Sequence, residues 1–145
     1  MRLLIQRVRS ASVSVAGEVV GEIGRGLLVF VGIERGDGSE KVRAAAGKLA
    51  GLRVFEDAAG RMNLDLAAVG GAFLVVSQFT LAGSIARGRR PSFDRAAPPE
   101  EAGPLVEALA EDLRRRGFRV ETGRFRASME VALVNDGPVT LLAEF

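Results

Sequence analysis

Three short segments of the chain combine hydroxyl, amide or guanidinium groups at spacings that could serve chemistry. The first is Ser77-Gln78-Phe79-Thr80-Leu81, which offers two hydroxyls, an amide and an aromatic ring directly after the apolar run Phe73–Val76. Because that run is typical of a buried strand, the segment is predicted at a strand end, where a rigid element can position side chains. A hydroxyl can act as a nucleophile or bind a carbonyl group. A structural strand end with turn-forming residues would give the same pattern.

The second segment, Asn135-Asp136-Gly137-Pro138-Val139-Thr140, joins the last two predicted strands. Asn, Asp and Gly favour turns, and Pro138 lacks the N–H group that a β-ladder uses. The residue types alone therefore favour an ordinary hairpin turn. A cis peptide bond before Pro138 is the minority alternative, since only about 5–6% of such bonds in folded proteins are cis.

The third segment is the basic stretch Arg87-Gly88-Arg89-Arg90-Pro91-Ser92-Phe93, inside a predicted surface loop from Ala82 to Pro99. Arginines next to an aromatic ring suit a phosphate backbone or single-stranded RNA. A solvated loop accounts for the pattern equally well. A second basic group lies between Arg114 and Arg126, and helix capping with a solvated face is its favoured interpretation.

The absent residue types restrict the chemistry further. The chain contains no Cys, His, Trp or Tyr. This excludes a thiolate nucleophile, a Ser-His-Asp triad, and zinc sites built on thiolate or imidazole. Carboxylates with the spacing of a calcium loop are also missing, so neither a metal nor a cofactor is expected. Any proton transfer must use a carboxylate, a lysine, a hydroxyl, the backbone or the substrate itself.

Length and composition indicate an ordinary globular protein. With 145 residues, 48% of them hydrophobic and 26% charged, the chain is expected to form one domain spanning residues 1–145. Twenty basic residues against 18 acidic ones give a net charge of only +2. No apolar run approaches the ~20 residues of a membrane span, and the start of the chain does not resemble a signal peptide. A cytoplasmic protein is therefore expected.

The hydrophobic periodicity predicts an α+β fold, with mainly antiparallel strands and two helices. The first helix is expected from about Glu40 to Leu52, and the second from Pro98-Pro99 to the Arg114–Arg116 run before Gly117. Strands are expected around the apolar or alternating segments: Leu3–Val8, Ser12–Ile23 as a hairpin, Leu27–Ile33, Phe73–Val76, Phe118–Thr122, Ser128–Val134 and Val139–Leu142.

The order of the three chemical segments along the chain is itself informative. The three chemical segments follow an opening Ile5-Gln6-Arg7-Val8 and Ala11-Ser12-Val13. Together they resemble the bacterial-type D-aminoacyl-tRNA deacylase family, also called D-tyrosyl-tRNA deacylases. The resemblance covers essentially the whole chain. It departs from the family pattern at Gly83-Ser84-Ile85-Ala86, which is unusually apolar.

The resemblance implies a homodimeric hydrolase that cleaves the ester between a D-amino acid and the 3′ end of tRNA. Glycyl-tRNA, including glycine mischarged on the alanine tRNA, would also be a substrate. The active sites would lie at the dimer interface. Carried over residue by residue, the family assigns Ser77, Gln78, Phe79 and Thr80 to the catalytic pocket, Arg7, Asn135, Gly137 and Pro138 to substrate binding and chiral selection, and Arg87, Arg89 and Arg90 to tRNA contacts.

The resemblance also implies how chirality is read. The Gly137–Pro138 bond would be cis and would reach into the partner's pocket, where rigid backbone clashes with an L-amino acid. Arg7 would brace that loop. The 2′-hydroxyl of the terminal ribose would help to activate water, while backbone N–H groups near Phe79 and Thr80 stabilise the oxyanion. Thr80 as a covalent nucleophile is the alternative mechanism.

Two rival interpretations stay open. One is an RNA-binding module that has this fold but no enzymatic activity, because the basic loop would serve either role. The other is an enzyme of the same fold with a trans Gly137–Pro138 bond, which would admit small L-amino acids. Aminoacyl-tRNA and a second copy of the chain are the expected partners, with neither DNA nor a membrane among them.

Overall fold

A computed structural model describes residues 1–145. Eight strands and two helices follow one another along the chain, and a short 3₁₀ turn spans Phe79–Ala82. Strands β1 to β3 are Arg2–Val15, Glu18–Ile23 and Gly26–Gly32, followed by α1 at Ser39–Ala50; β4 to β6 are Phe55–Glu56, Met62–Leu64 and Ala72–Ser77; α2 is Pro99–Arg115; β7 and β8 are Arg119–Thr122 and Glu130–Glu144.

The main sheet has the order β2-β1-β3-β6-β7, and β8 lies on the other edge of β1. Strand β1 pairs antiparallel with β2, β3 and β8, which confirms the predicted α+β fold with mostly antiparallel strands. The pairs β3–β6 and β6–β7 are parallel. Parallel neighbours need a long crossover connection, and the two helices lie in these two crossovers.

The core occupies both faces of this sheet. Strand β3 is a continuous apolar run whose successive residues point to opposite faces: Leu27 and Val29 join the larger cluster beneath the helices, and Leu28 joins the smaller one. The smaller cluster is covered where β2 bends back towards β7. A Cβ atom at Gly21 would lie only 2.5 Å from the carbonyl oxygen of Thr122, so the absence of a side chain there permits this close approach.

The last two predicted strands are one strand, and the predicted hairpin turn at Asn135–Thr140 is wrong. Both halves of β8 pair with β1: Asn135 lies opposite Val8, and Thr140 lies opposite Gln6. Residues 136–139 therefore stand opposite Arg7 alone and bulge out of the ladder. The chain continues in the same direction after the bulge because β1 supplies partners on both sides of Arg7.

A buried ionic cluster fixes the loop after β3. The Asp37 carboxylate lies 2.7 Å from the Met1 ammonium and 2.7 Å from Lys41 Nζ, and it accepts the N–H of Glu34 at 2.7 Å. Burial alone would raise the pKa of Asp37, but these hydrogen bonds outweigh burial and lower the pKa. Glu34 in turn pairs with Arg95 at 2.8 Å, so the cluster also anchors the end of the long loop before α2.

Neither helix combines the length and the apolar character that crossing a bilayer would require.

Replacing Asp37 with Asn should lower the free energy of unfolding by about 2 kcal/mol at pH 7, since hydrogen bonds to a charged group are lost. A folded-state pKa below the unfolded value stabilises the protein above about pH 4, and this contribution disappears as the pH falls through the folded-state value. Denaturant titrations of Asp37→Asn and wild type should therefore converge in acid. Glu40→Gln, on the exposed start of α1, is the control. A constant difference from pH 7 to pH 2 would contradict the assignment.

Candidate active site

The segment after β6 forms the polar end of a cavity. Ser77 closes the strand, and the backbone N–H of Gln78 still donates to the Val31 carbonyl at 2.8 Å, as the parallel ladder requires. The chain then turns at Phe79–Ala82. The first N–H groups of a helical turn have no acceptor within that turn, and those of Phe79 and Thr80 occupy this position.

The cavity has a volume of about 580 Å³ and is lined mainly by apolar residues. Phe79 and Phe93 form an edge-to-face pair at its side, with ring centroids 5.1 Å apart and planes inclined by 64°. Phe125 also lines it. The remaining lining residues are Val31, Ile33, Ser77, Gln78, Ala96, Ala97, Pro99, Ala102, Arg126, Ala127 and Met129.

Three of the four predicted catalytic residues meet in this cavity, and the fourth does not line it. Ser77, Gln78 and Phe79 line the cavity, whereas Thr80 is exposed beside it. The Gln78 side-chain amide donates to the Thr80 hydroxyl oxygen. No basic side chain is hydrogen-bonded to that hydroxyl, so nothing in the chain is placed to take its proton.

The predicted chiral-selection residues form a second constellation, at the bulge of β8. The Gly137–Pro138 peptide bond is cis, and both residues are exposed at the tip of the bulge. None of Arg7, Asn135, Gly137 and Pro138 lines the cavity of the same chain.

The Asn135 side chain forms hydrogen bonds across the base of this bulge. Its side-chain oxygen accepts the N–H of Val139 at 2.8 Å, and its amide nitrogen donates to the Thr140 hydroxyl at 2.9 Å. The amide side chain thus takes the place of the ladder bonds that the bulge interrupts. This explains why a residue with both a donor and an acceptor stands here.

The Arg7 side chain, on the neighbouring strand β1, stabilises the bulge by hydrogen bonding. Its Nε donates to the Asp136 carbonyl at 2.8 Å, and another guanidinium nitrogen donates to the Val54 carbonyl at 2.6 Å. Only 5% of the residue is exposed. At Gly137, φ is +137°, and a Cβ atom would lie 3.0 Å from the Arg7 guanidinium. The same Cβ atom would lie 2.9 Å from Val139 Cγ2, and L side chains rarely adopt this φ, so a side chain at residue 137 would strain the bulge and displace its neighbours.

The predicted tRNA-binding arginines lie in a loop next to the cavity. Ser84 and Ser92 exchange two backbone hydrogen bonds of 2.8 and 2.9 Å, which close the loop at its base. Arg87, Arg89 and Arg90 lie beyond this closure and are all exposed. Phe93, just after the closure, lines the cavity, so the basic loop begins at the cavity rim.

Several site residues could not be found from the sequence. Ala96, Ala97, Pro99 and Ala102 line the cavity, but small apolar residues carry no chemical signal. The Val54 carbonyl that binds Arg7 is a backbone group, which every residue has. No cluster of three or more Cys, His, Asp or Glu side chains is arranged to hold a metal ion.

Comparisons with known proteins show which family this chain resembles. A family model for D-Tyr-tRNA(Tyr) deacylase matches residues 4–144. The D-aminoacyl-tRNA deacylase of Anaeromyxobacter dehalogenans is 60% identical over 144 residues, which are 99% of this chain and 97% of that protein. The D-aminoacyl-tRNA deacylase of Symbiobacterium thermophilum is 56% identical over 99% of this chain and 95% of its own length.

Two solved structures share the fold. A c-Myc DNA Unwinding Element Binding Protein superposes with a TM-score of 0.93 at 38% identity, covering 100% of this chain and 99% of its own. A probable eukaryotic D-amino acid tRNA deacylase superposes with a TM-score of 0.85 at 19% identity, covering 98% and 97%, and at that identity the likeness concerns the fold alone. From the family match and the 60% identity over almost its full length, the chain belongs to the D-Tyr-tRNA deacylase family.

Proposed function

We propose that this protein hydrolyses the ester bond between a D-amino acid and the 3′ end of tRNA. The observation that carries the proposal is the cavity at the end of β6, in a chain that is 60% identical to a D-aminoacyl-tRNA deacylase. Its volume of about 580 Å³ suits a nucleoside. The apolar walls and the aromatic pair Phe79–Phe93 would hold the terminal adenine, with its ribose and ester directed to Ser77 and Gln78.

The reaction is ester hydrolysis. Water attacks the ester carbonyl, the bond from that carbon to the ribose oxygen breaks, and the products are a free amino acid and tRNA with a free hydroxyl. A chain without His or Cys lacks the usual bases and thiolate. The family resemblance implies that the 2′-hydroxyl of the terminal ribose assists the attacking water instead. The unpaired N–H groups of Phe79 and Thr80 stabilise the negative charge on the carbonyl oxygen.

Chiral selection is assigned to the bulge of β8 in a partner subunit. Within one chain Gly137 and Pro138 do not line the cavity, and in this proposal a second copy supplies the bulge that faces the ester. Strand β8 supports such an arrangement because only one of its edges is paired, with β1, and because it exposes Val134, Leu141 and Leu142, the last at 60%. An unpaired edge bearing exposed apolar residues is a site for association.

The remaining parts of the proposal concern the tRNA. The exposed Arg87, Arg89 and Arg90 contact the phosphate backbone near the acceptor end. Residues 1–145 act as one domain, and a substrate made during translation places the reaction in the cytoplasm. Because backbone atoms at Gly137–Pro138 read the configuration rather than the side chain, many D-amino acids and also glycine, including glycine mischarged on the alanine tRNA, would be accepted.

The decisive experiment is the deacylation of matched D-tyrosyl-tRNA, L-tyrosyl-tRNA and glycyl-tRNA. We expect rapid loss of the D and glycyl esters and an L ester as stable as in buffer, because only the L side chain clashes with the partner's backbone. Loss of the D and L esters at equal rates would contradict the assigned filter.

A nucleic-acid-binding protein without enzymatic activity is the second candidate. The solved neighbour at 38% identity is named as a DNA unwinding element binding protein, and phosphate contacts alone do not distinguish DNA from RNA. Tight binding of tRNA with none of the three esters hydrolysed would favour this candidate.

The role of Thr80 can be tested against that of the substrate hydroxyl. Thr80→Ala should retain at least about a tenth of the wild-type kcat, because the hydroxyl has no base beside it to make it a nucleophile. A D-aminoacyl-tRNA with a terminal 2′-deoxyribose should instead lose activity by about 10²-fold or more, as expected when a proton-transfer group is removed. Full activity on the deoxy substrate, or complete inactivity of Thr80→Ala, would overturn the assignment.

The chain offers a matched pair for testing chiral selection. Arg7 and Arg9 both approach Asp136. The Arg7 side chain is 6% exposed and donates to two carbonyls, whereas the Arg9 side chain is 76% exposed and contacts only the carboxylate. Arg7→Lys loses the planar array of donors and should lower the D-to-L ratio of kcat/KM about tenfold. Arg9→Lys should leave the ratio within about twofold, since exposed ion pairs contribute little. Circular dichroism checks folding, and equal ratios in both variants would refute the bracing role.

A further inference from the structure

A second cavity adjoins the one at the end of β6. It has a volume of about 430 Å³ and lies between α2 and the strands β6 and β7. Ser77, Pro99 and Phe125 line both cavities, so the two are direct neighbours. The proposed function uses only the first cavity and leaves the second without an occupant.

Phe125 stands where the two cavities meet. Its ring packs against α2 at Gly103, where a Cβ atom would lie 3.0 Å from the ring carbon Cε1. Because Gly103 has no side chain, the Phe125 ring can pack directly against α2. Phe125 nevertheless stays 37% exposed. An exposed aromatic ring beside two cavities can contact a planar group in each, and base–aromatic contacts are a common way of holding single-stranded nucleic acid.

The two cavities differ in character. Ten of the 14 residues lining the first are hydrophobic, against four of 12 in the second. The polar groups of the second come from two sides: Glu107 and Arg114 from α2, and Thr122 from the end of β7. This lining suits a ligand that carries both hydrogen-bond donors and acceptors.

Glu107 is available as an acceptor. The ion pairs on α2 join Arg114 to Glu111, and Arg115 and Arg116 to Asp112, which leaves Glu107 without a basic partner. Arg114 is held in place because it also donates to the Val120 carbonyl at 3.0 Å.

A free carboxylate that lines the same cavity as a fixed guanidinium and a hydroxyl suits cytosine as a ligand. Cytosine offers an amino group that donates to Asp or Glu, next to ring nitrogen and carbonyl acceptors. Uracil carries a carbonyl oxygen where cytosine has the amino group, and that oxygen would face the Glu107 carboxylate. Every mature tRNA ends in cytidine-cytidine-adenosine, so a cytidine directly precedes the terminal adenosine.

Arginines flank the ring that stands between the cavities. Arg124 and Arg126 are both exposed, and Arg126 also lines the first cavity. A phosphodiester joining a nucleoside in one cavity to a nucleoside in the other would pass the Phe125 ring, where a guanidinium can bind its oxygens.

We propose that the two cavities together bind the last two nucleotides of the RNA. The terminal adenosine occupies the first cavity and the penultimate cytidine occupies the second, where Glu107 accepts its amino group. The bases lie on either side of Phe125, with the linking phosphate at Arg126. The inference rests on the proposed function and extends it from the terminal nucleoside to its neighbour.

The test is a binding measurement that does not depend on catalysis. Calorimetric titration of the full chain with the dinucleotides CpA and UpA and with adenosine 5′-monophosphate compares the occupants directly. We expect CpA to bind about tenfold more tightly than either of the others, within the range of one good base contact. In Glu107→Gln this advantage should fall to about twofold or less, because a carboxamide can also donate to uracil. Glu101→Gln, on the same helix outside both cavities, should keep it.

The possible outcomes separate the two proposals. Equal affinities for CpA, UpA and the mononucleotide would overturn the dinucleotide site, even if D-aminoacyl-tRNA is hydrolysed. A full CpA preference in Glu107→Gln would overturn the assigned base contact. A CpA preference that depends on Glu107, in a protein that hydrolyses none of the esters, would uphold the dinucleotide site and reject the deacylase activity.

Discussion

The buried guanidinium of Arg7 is the constraint on which the bulge of β8 depends. A charged group removed from water is costly unless its donors are satisfied. Arg7 finds its acceptors in the carbonyls of Asp136 and Val54, and these come from the bulge of β8 and the segment before β4. Neither carbonyl is in place until both segments have packed against β1. The charge therefore couples the position of Gly137–Pro138 to the folding of the sheet.

The same constraint explains the form of the bulge. A regular ladder between Gln6 and Val8 would place one residue of β8 opposite Arg7, but residues 136–139 stand there instead. The extra residues turn the Asp136 carbonyl towards the guanidinium and leave Gly137 and Pro138 at the surface. Asn135 restores the hydrogen bonds that the ladder loses at this point. An exposed backbone with fixed geometry results, and such a surface can exclude a group by steric clash without binding it.

Strands and helices with a strong hydrophobic periodicity could be predicted from the sequence. Features that depend on how two strands pair could not. The apolar run of β3 and the amphipathic pattern of α2 reflect which faces are buried, and burial leaves a direct trace in residue types. The continuity of β8 leaves no such trace. Asn, Asp, Gly and Pro at residues 135–138 are equally typical of a hairpin turn, and only the register against β1 distinguishes a turn from a bulge.

The candidate active site likewise contains residues that could be predicted from the sequence and groups that could not. Ser77, Gln78 and Phe79 could be proposed from the sequence because their side chains carry chemical groups. The oxyanion donors proposed for it are backbone N–H groups, and much of its cavity wall is alanine, so neither has a recognisable residue type. Without His or Cys, little of the function assigned here resides in reactive side chains. In the proposed mechanism most of it resides in backbone groups that the sheet positions, and a backbone group leaves no trace in any single residue type.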